Sequence, residues 1–183
     1  MHVSRRTALA ALAIAALGGS ATTAVSALGH DRGREHQRRD HRRNDRNRHH
    51  GELLRTSLAP SVPASSGGPT LNGIAPGGVP WVLKRGAATL ERNGEFRVFV
   101  RGLVIPPPTG MNTPGPVTTV NASLYCDGSN TPIGSTPSVP LSMSGDAAMK
   151  ATLTLPAKCL APLVLVHPNG NAGAYIAASG IGG

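Results

Sequence analysis

The chain has 183 residues, 23 of them Gly and 16 Pro, and this much of both excludes a helical bundle or a coiled coil. Its few aromatic residues (Trp81, Phe96, Phe99, Tyr125, Tyr175) leave little material for a platform that stacks bases or sugars. The formal net charge of +9 is concentrated at the N-terminal end, in Arg5, Arg6 and the arginines of residues 30–55, which excludes a uniformly basic globular domain.

Residues 1–27 read as a secretory signal peptide. Met1–Arg6 is a positive leader, Ala8–Leu17 an unbroken apolar run, and Val25-Ser26-Ala27 a small-residue site for cleavage after Ala27. The apolar run is about half the roughly 20 residues needed to cross a bilayer, and no longer one follows. A secreted or cell-envelope-associated chain without a transmembrane anchor is the expectation. Ser4-Arg5-Arg6-Thr7-Ala8-Leu9 resembles the twin-arginine export motif, with Ala8 where that motif prefers Phe, so the general secretory route stays open beside it.

Residues 28–55 form a low-complexity arm rich in His and Arg. No aliphatic or aromatic side chain lies between Gly29 and Glu52, so nothing there can bury an apolar face, and disorder is expected. Arg38, Arg39, Arg42, Arg43, Arg46 and Arg48 are candidates for contact with anionic cell-envelope polymers, with a steep dependence on salt. His30, His36, His41, His49 and His50 could hold a divalent transition metal through neutral imidazoles. A third reading makes the arm a solubilising tether. Residues 56–80, with Pro60, Pro63, Pro69, Pro76 and Pro80 among Gly and Ser, read as an extended linker, of which Leu71–Pro80 could pack on the domain.

Residues 81–183 carry short β-like runs separated by Gly, Pro and Asn turns, near 81–84, 86–91, 95–105, 117–126, 138–143, 147–155, 160–167 and 174–179. Their spacing predicts an all-β fold, an antiparallel sandwich or barrel-like single domain. A three-residue loop, Arg92-Asn93-Gly94, pairs Leu90 with Phe96 and Ala88 with Val98, and it places Gly94 at the left-handed position. The alternative two-residue turn would put apolar side chains on opposite faces. A second hairpin is predicted around Ser144-Gly145-Asp146, with Val139, Leu141 and Met143 facing Ala147, Met149 and Ala151. An immunoglobulin domain proper does not fit, because Trp81 precedes both cysteines.

Cys126 and Cys159 are the two cysteines, and an exported chain meets oxidising conditions, so a disulfide is expected. Closing a loop of about 34 residues contributes about 3–4 kcal/mol in the chain-entropy model. Free thiols or a metal pair are the rival reading, but no C-x-x-C or Cys/His spacing supports it.

Ala75-Pro76-Gly77-Gly78-Val79-Pro80-Trp81, Arg101-Gly102-Leu103-Val104-Ile105-Pro106, Pro114-Gly115-Pro116-Val117, Ala122-Ser123-Leu124-Tyr125-Cys126 and Cys159-Leu160-Ala161-Pro162 with Leu165-Val166-His167-Pro168 resemble a family of secreted actinobacterial proteins. The resemblance spans residues 71–179 and excludes the arm. It implies export and a single disulfide-linked β domain, and it supplies no catalytic residues.

The domain has one histidine, His167, and four acidic residues, too few for a positioned nucleophile and base. Glu91 and Glu95 flank a turn and read as solvated charges; no G-x-S-x-G, HExxH or phosphate loop occurs. Arg97 and Arg101 share a strand face with Phe99 as a cation-and-aromatic patch, unless Phe99 is covered by a loop. No cofactor is implied. The expected function is that of an exported, non-enzymatic binding or structural module whose basic arm contacts anionic surfaces. Metal binding through the arm is the alternative, and a secreted enzyme the more distant one.

Overall fold

A computed structural model describes residues 51–180. The expected signal peptide with its site at Ala27, and the candidate arginines and histidines of the arm, lie outside these residues.

Eleven strands and one 3-10 turn (Ala64–Ser66) make up the regular structure of the described residues, with no α-helix among them. The strands are β1 Glu52–Pro60, β2 Ala75–Pro76, β3 Arg85–Glu91, β4 Glu95–Arg101, β5 Thr119–Tyr125 and β6 Gly134–Ser135, followed by β7 Val139–Pro140, β8 Ala147–Thr152, β9 Leu163–Pro168, β10 Ala174–Tyr175 and β11 Ala177–Ser179. Nine form one antiparallel sheet in the order β6-β5-β9-β11-β1-β3-β4-β8, with β7 also on β5. The short β2 and β10 pair in parallel beside it. The large sheet curls until β7 lies against β8, giving a nearly closed barrel-like fold.

Alternation of side chains builds the core. On β3 and β4, Ala88, Leu90, Phe96, Val98 and Val100 are buried, while the intervening residues are half-buried or exposed. These meet Met149 of β8, Val120, Ala122 and Leu124 of β5, and Val164 and Val166 of β9 in one cluster. This is the period-two pattern of a sheet with one face packed and one solvated.

The first hairpin has the expected register, with Leu90 opposite Phe96 and Ala88 opposite Val98. Gly94 sits at φ +85°, and a Cβ there would come within 2.1 Å of the Leu153 carbonyl oxygen, so the position needs glycine twice over. The second hairpin differs from expectation. The 142–146 turn exists, but β7 pairs with β5 and β8 pairs with β4. Met143 is therefore exposed instead of core-facing, while Leu141 is buried. The two apolar runs flank one turn without forming one ladder, because Pro140 cannot donate to a partner strand and β7 ends there.

The largest correction concerns the segment read as the end of an arm and a linker. Residues 52–60 form β1, an internal strand whose Leu54–Ser57 stretch pairs with β3 and whose Leu58–Pro60 stretch pairs with β11. A bulge between Glu52 and Leu54 puts two leucines in succession and hides the alternation of Leu54, Thr56 and Leu58. Residues 61–80 are also folded: Ile74 and Leu71 pack with Tyr125, Leu165, Tyr175 and Ala178 in a second apolar cluster, and the Trp81 side chain is buried in the first. The Tyr175 hydroxyl donates to the Pro69 carbonyl oxygen at 2.6 Å, tying this segment to β10.

Candidate functional site

Cys126 and Cys159 are bonded, with their Cα atoms 5.0 Å apart. The bridge joins the end of β5 to the loop before β9, where the Asp127 N–H donates to the Leu160 carbonyl oxygen and the Leu160 N–H to the Asp127 carboxylate.

Among the described residues, the polar chemistry of the domain gathers on the outer face of β3, β4 and β8. Strand alternation turns Glu95, Arg97, Phe99 and Arg101 outward from β4. Phe99 stands between Ala87 of β3 and Ala148 of β8, its direct cross-strand neighbours, so small side chains leave it accessible from the side. It is half-buried and lines an open depression. The Arg85 guanidinium lies over its ring, 5.7 Å from the centroid, a distance at which the ring quadrupole attracts a cation.

Arg85 and Arg101 are directly opposite each other on β3 and β4. Like charges in that arrangement repel, at a cost of a few tenths to about 1 kcal/mol. Neither arginine has an ion-pair partner among the described residues. Asp146 is close enough to act on Arg101 and Lys84 but forms no ion pair with either; its charged carboxylate accepts from the Gly102 N–H at 2.9 Å and the Ser144 hydroxyl at 3.0 Å. Those hydrogen bonds, Gly102 first, with the nearby cations, hold its pKa below the ordinary aspartate value. Arg85, Phe99, Arg101 and Asp146 line an open depression at this corner of the sheet.

Farther along the face the charges are matched. Glu95 binds Arg97 at 2.6 Å and Lys150 at 2.7 Å, and these hydrogen bonds, with Lys150 first, pull its pKa down. Glu95 is thereby committed to two cations. Arg97, Phe99 and Arg101 share one strand face, but the cations of this face without an ion pair among the described residues are Arg85 and Arg101, not Arg97. Arg85 escaped the sequence reading by one position, because the strand was begun at residue 86. Extending the Leu90–Phe96 register five residues places Arg85 opposite Arg101.

His167 lies on the other side of the molecule. Its side chain is fully buried, Nδ1–H donates to the Ala174 carbonyl oxygen at 2.7 Å, and Nε2 accepts from the Tyr125 hydroxyl at 3.2 Å. Burial lowers its pKa, so the neutral ring is the native form. With both nitrogens occupied it is a structural linker between β5, β9 and β10. Asn121, in the Asn-Ala-Ser sequence, is half-buried within β5 and its side-chain oxygen is buried without a hydrogen-bond partner. No group of three or more His, Cys, Asp or Glu side chains among the described residues is arranged to share a metal ion.

No protein-family model matches the chain, and no curated protein or solved structure is similar to it.

Proposed function

We propose that the chain is an exported, non-enzymatic binding module that holds anionic polymers of the cell envelope through its outer sheet face and its basic arm. The observation that carries this reading is Arg85 facing Arg101 beside Phe99, with neither arginine in an ion pair among the described residues. A repulsive pair of this kind is relieved when an anion bridges it, and guanidinium forks suit bidentate phosphate or carboxylate groups. The Cys126–Cys159 bond supports an oxidising, extracytoplasmic setting. Residues 30–50 add eight arginines against four acidic residues, so the arm supplies long-range attraction and the sheet face the defined contact.

Retention of the secreted protein on immobilised inorganic polyphosphate tests this. Binding should weaken at least tenfold between about 50 and 200 mM salt, because released counterions drive such contacts. The double variant Arg85→Gln/Arg101→Gln should lose several-fold more retention than Arg97→Gln, with a melting temperature no lower than that of the unchanged protein, since the repulsive pair is gone. Equal retention by all three proteins would refute the role of the sheet face, and indifference to salt would refute polyanion binding altogether.

A further inference from the structure

The depression beside Phe99 holds one acid among its cations, and its own turn fixes that acid in place. Asp146 closes the 142–146 turn: its N–H donates to the Ser142 hydroxyl oxygen, and its carbonyl oxygen accepts from the Ser142 N–H. Each carboxylate oxygen takes one hydrogen bond, from the Gly102 N–H and from the Ser144 hydroxyl. A carboxylate offers about four acceptor positions, so roughly two stay open. The residue is exposed, and its lowered pKa keeps it charged at neutral pH.

Three cations share this corner with it. Arg101 directly precedes Gly102, and the Lys84 stem lies across Gly102, where a Cβ would come within 2.7 Å of Lys84 Cγ. Both act on Asp146 electrostatically, yet neither forms an ion pair with it. Arg85 faces Arg101 across the strands, with its guanidinium over the Phe99 ring. The corner thus presents three positive groups and one negative group, each held at its own place. A plain polyanion would use the arginines and meet Asp146 as a like charge, which costs affinity. A quaternary ammonium cannot donate to Asp146, and the ring face it would seek instead carries Arg85. An ammonium without an attached anion meets three cations and is repelled.

From this arrangement we infer that the depression recognises a zwitterionic repeating unit, with a phosphodiester against Arg85 and Arg101 and a primary ammonium against Asp146. The inference rests on the polyanion reading above and narrows it to phosphate polymers that carry amino groups. The depression has a volume of about 720 Å³, within the range of small-molecule sites.

The test titrates glycerophosphoethanolamine, a soluble diester without acyl chains, and its N-acetyl derivative into the full secreted protein. Both should shift the Gly102, Asp146 and Ala148 amide resonances saturably. The zwitterion should bind about threefold more tightly, the size of one exposed ion pair. Net charge alone predicts the reverse order, because the N-acetyl form is the anion. Asp146→Asn keeps an acceptor for the Gly102 N–H and should erase the preference; comparing the two diesters on the unchanged protein covers the case in which that turn rearranges. Glycerophosphocholine should bind no better than the N-acetyl form, and ethanolamine alone should not bind. An N-acetyl form bound as tightly as the zwitterion, by protein still retained on polyphosphate, would overturn the zwitterion alone. No binding of either diester and no retention on polyphosphate would overturn the polyanion reading with it. Retention on phosphatidylethanolamine vesicles without binding of the soluble diester would overturn a polymer unit in favour of a membrane surface.

Discussion

Lowering the pH toward 5 should destabilise the domain through His167, the one histidine among the described residues. The ring is fully buried, with Nδ1–H committed to Ala174 and Nε2 to Tyr125. Burial depresses its native pKa below the ordinary histidine value of 6.5. In the unfolded chain the imidazole takes up a proton near pH 6.5, while the native ring resists it, so the unfolded state binds more protons. Stability is therefore complete above about pH 6.5 and falls as the pH drops through that value toward the lower native pKa. The slope is limited to one proton, about 1.4 kcal/mol per pH unit. For a domain of this size that is roughly 4 °C in melting temperature per unit. Glu95 and Asp146 have depressed values too, but theirs act below about pH 4.5, in a separate window. Thermal melts followed by the buried Trp81 between pH 7.5 and 5 give the wild-type slope, and His167→Phe gives the reference. The variant should start lower, because the Tyr125 hydroxyl and the Ala174 carbonyl lose their partner at about 1–3 kcal/mol each. Its slope should be flatter by nearly one proton. Parallel pH profiles for the two proteins would refute the argument, since the titration would then belong to other groups.

Two further perturbations follow from the fold. Cys126→Ser should cost about 3–4 kcal/mol from loop closure, a drop of the order of 10 °C, and alkylation of the native protein should find no free thiol; two reactive thiols would refute the bridge. Removal of residues 28–50 should leave the melting temperature nearly unchanged, whereas removal of 28–55 takes away half-buried Leu54, packed against the core, with part of the stretch of β1 that pairs with β3, and should cost about 2–4 kcal/mol; equal melting of the two would refute the placement of β1.

The legibility of this chain tracks how local each determinant is. The Leu90–Phe96 hairpin was readable because two constraints meet within eleven residues: apolar side chains must share a face, and Gly94 alone tolerates φ +85° in contact with the Leu153 carbonyl. The Cys126–Cys159 bond was readable because two cysteines allow one pairing. β1 was not readable. Its partners β3 and β11 lie about 30 and 120 residues away, and a bulge breaks its alternation where the polar arm ends. The second hairpin failed for the same reason, since the choice of β5 over β8 as partner for β7 is settled by the closing sheet and not by the turn.

Two concavities divide along that line as well. Arg85 opposite Arg101 follows from the legible hairpin once its register is carried to the strand end, so the cationic face was within reach of the sequence. A leucine-lined concavity at the disulfide end was not, because its walls come from β1, β3, β5 and the disulfide loop, elements far apart in the chain that meet only in the folded sheet. Strand β1 thus does two things at once. It joins the two halves of the sheet with Leu58–Pro60 and Leu54–Ser57, and it supplies Leu53 and Leu54 to the wall of that concavity. A stretch read as the end of an arm and the start of a linker is in this fold an internal strand that joins β3 to β11.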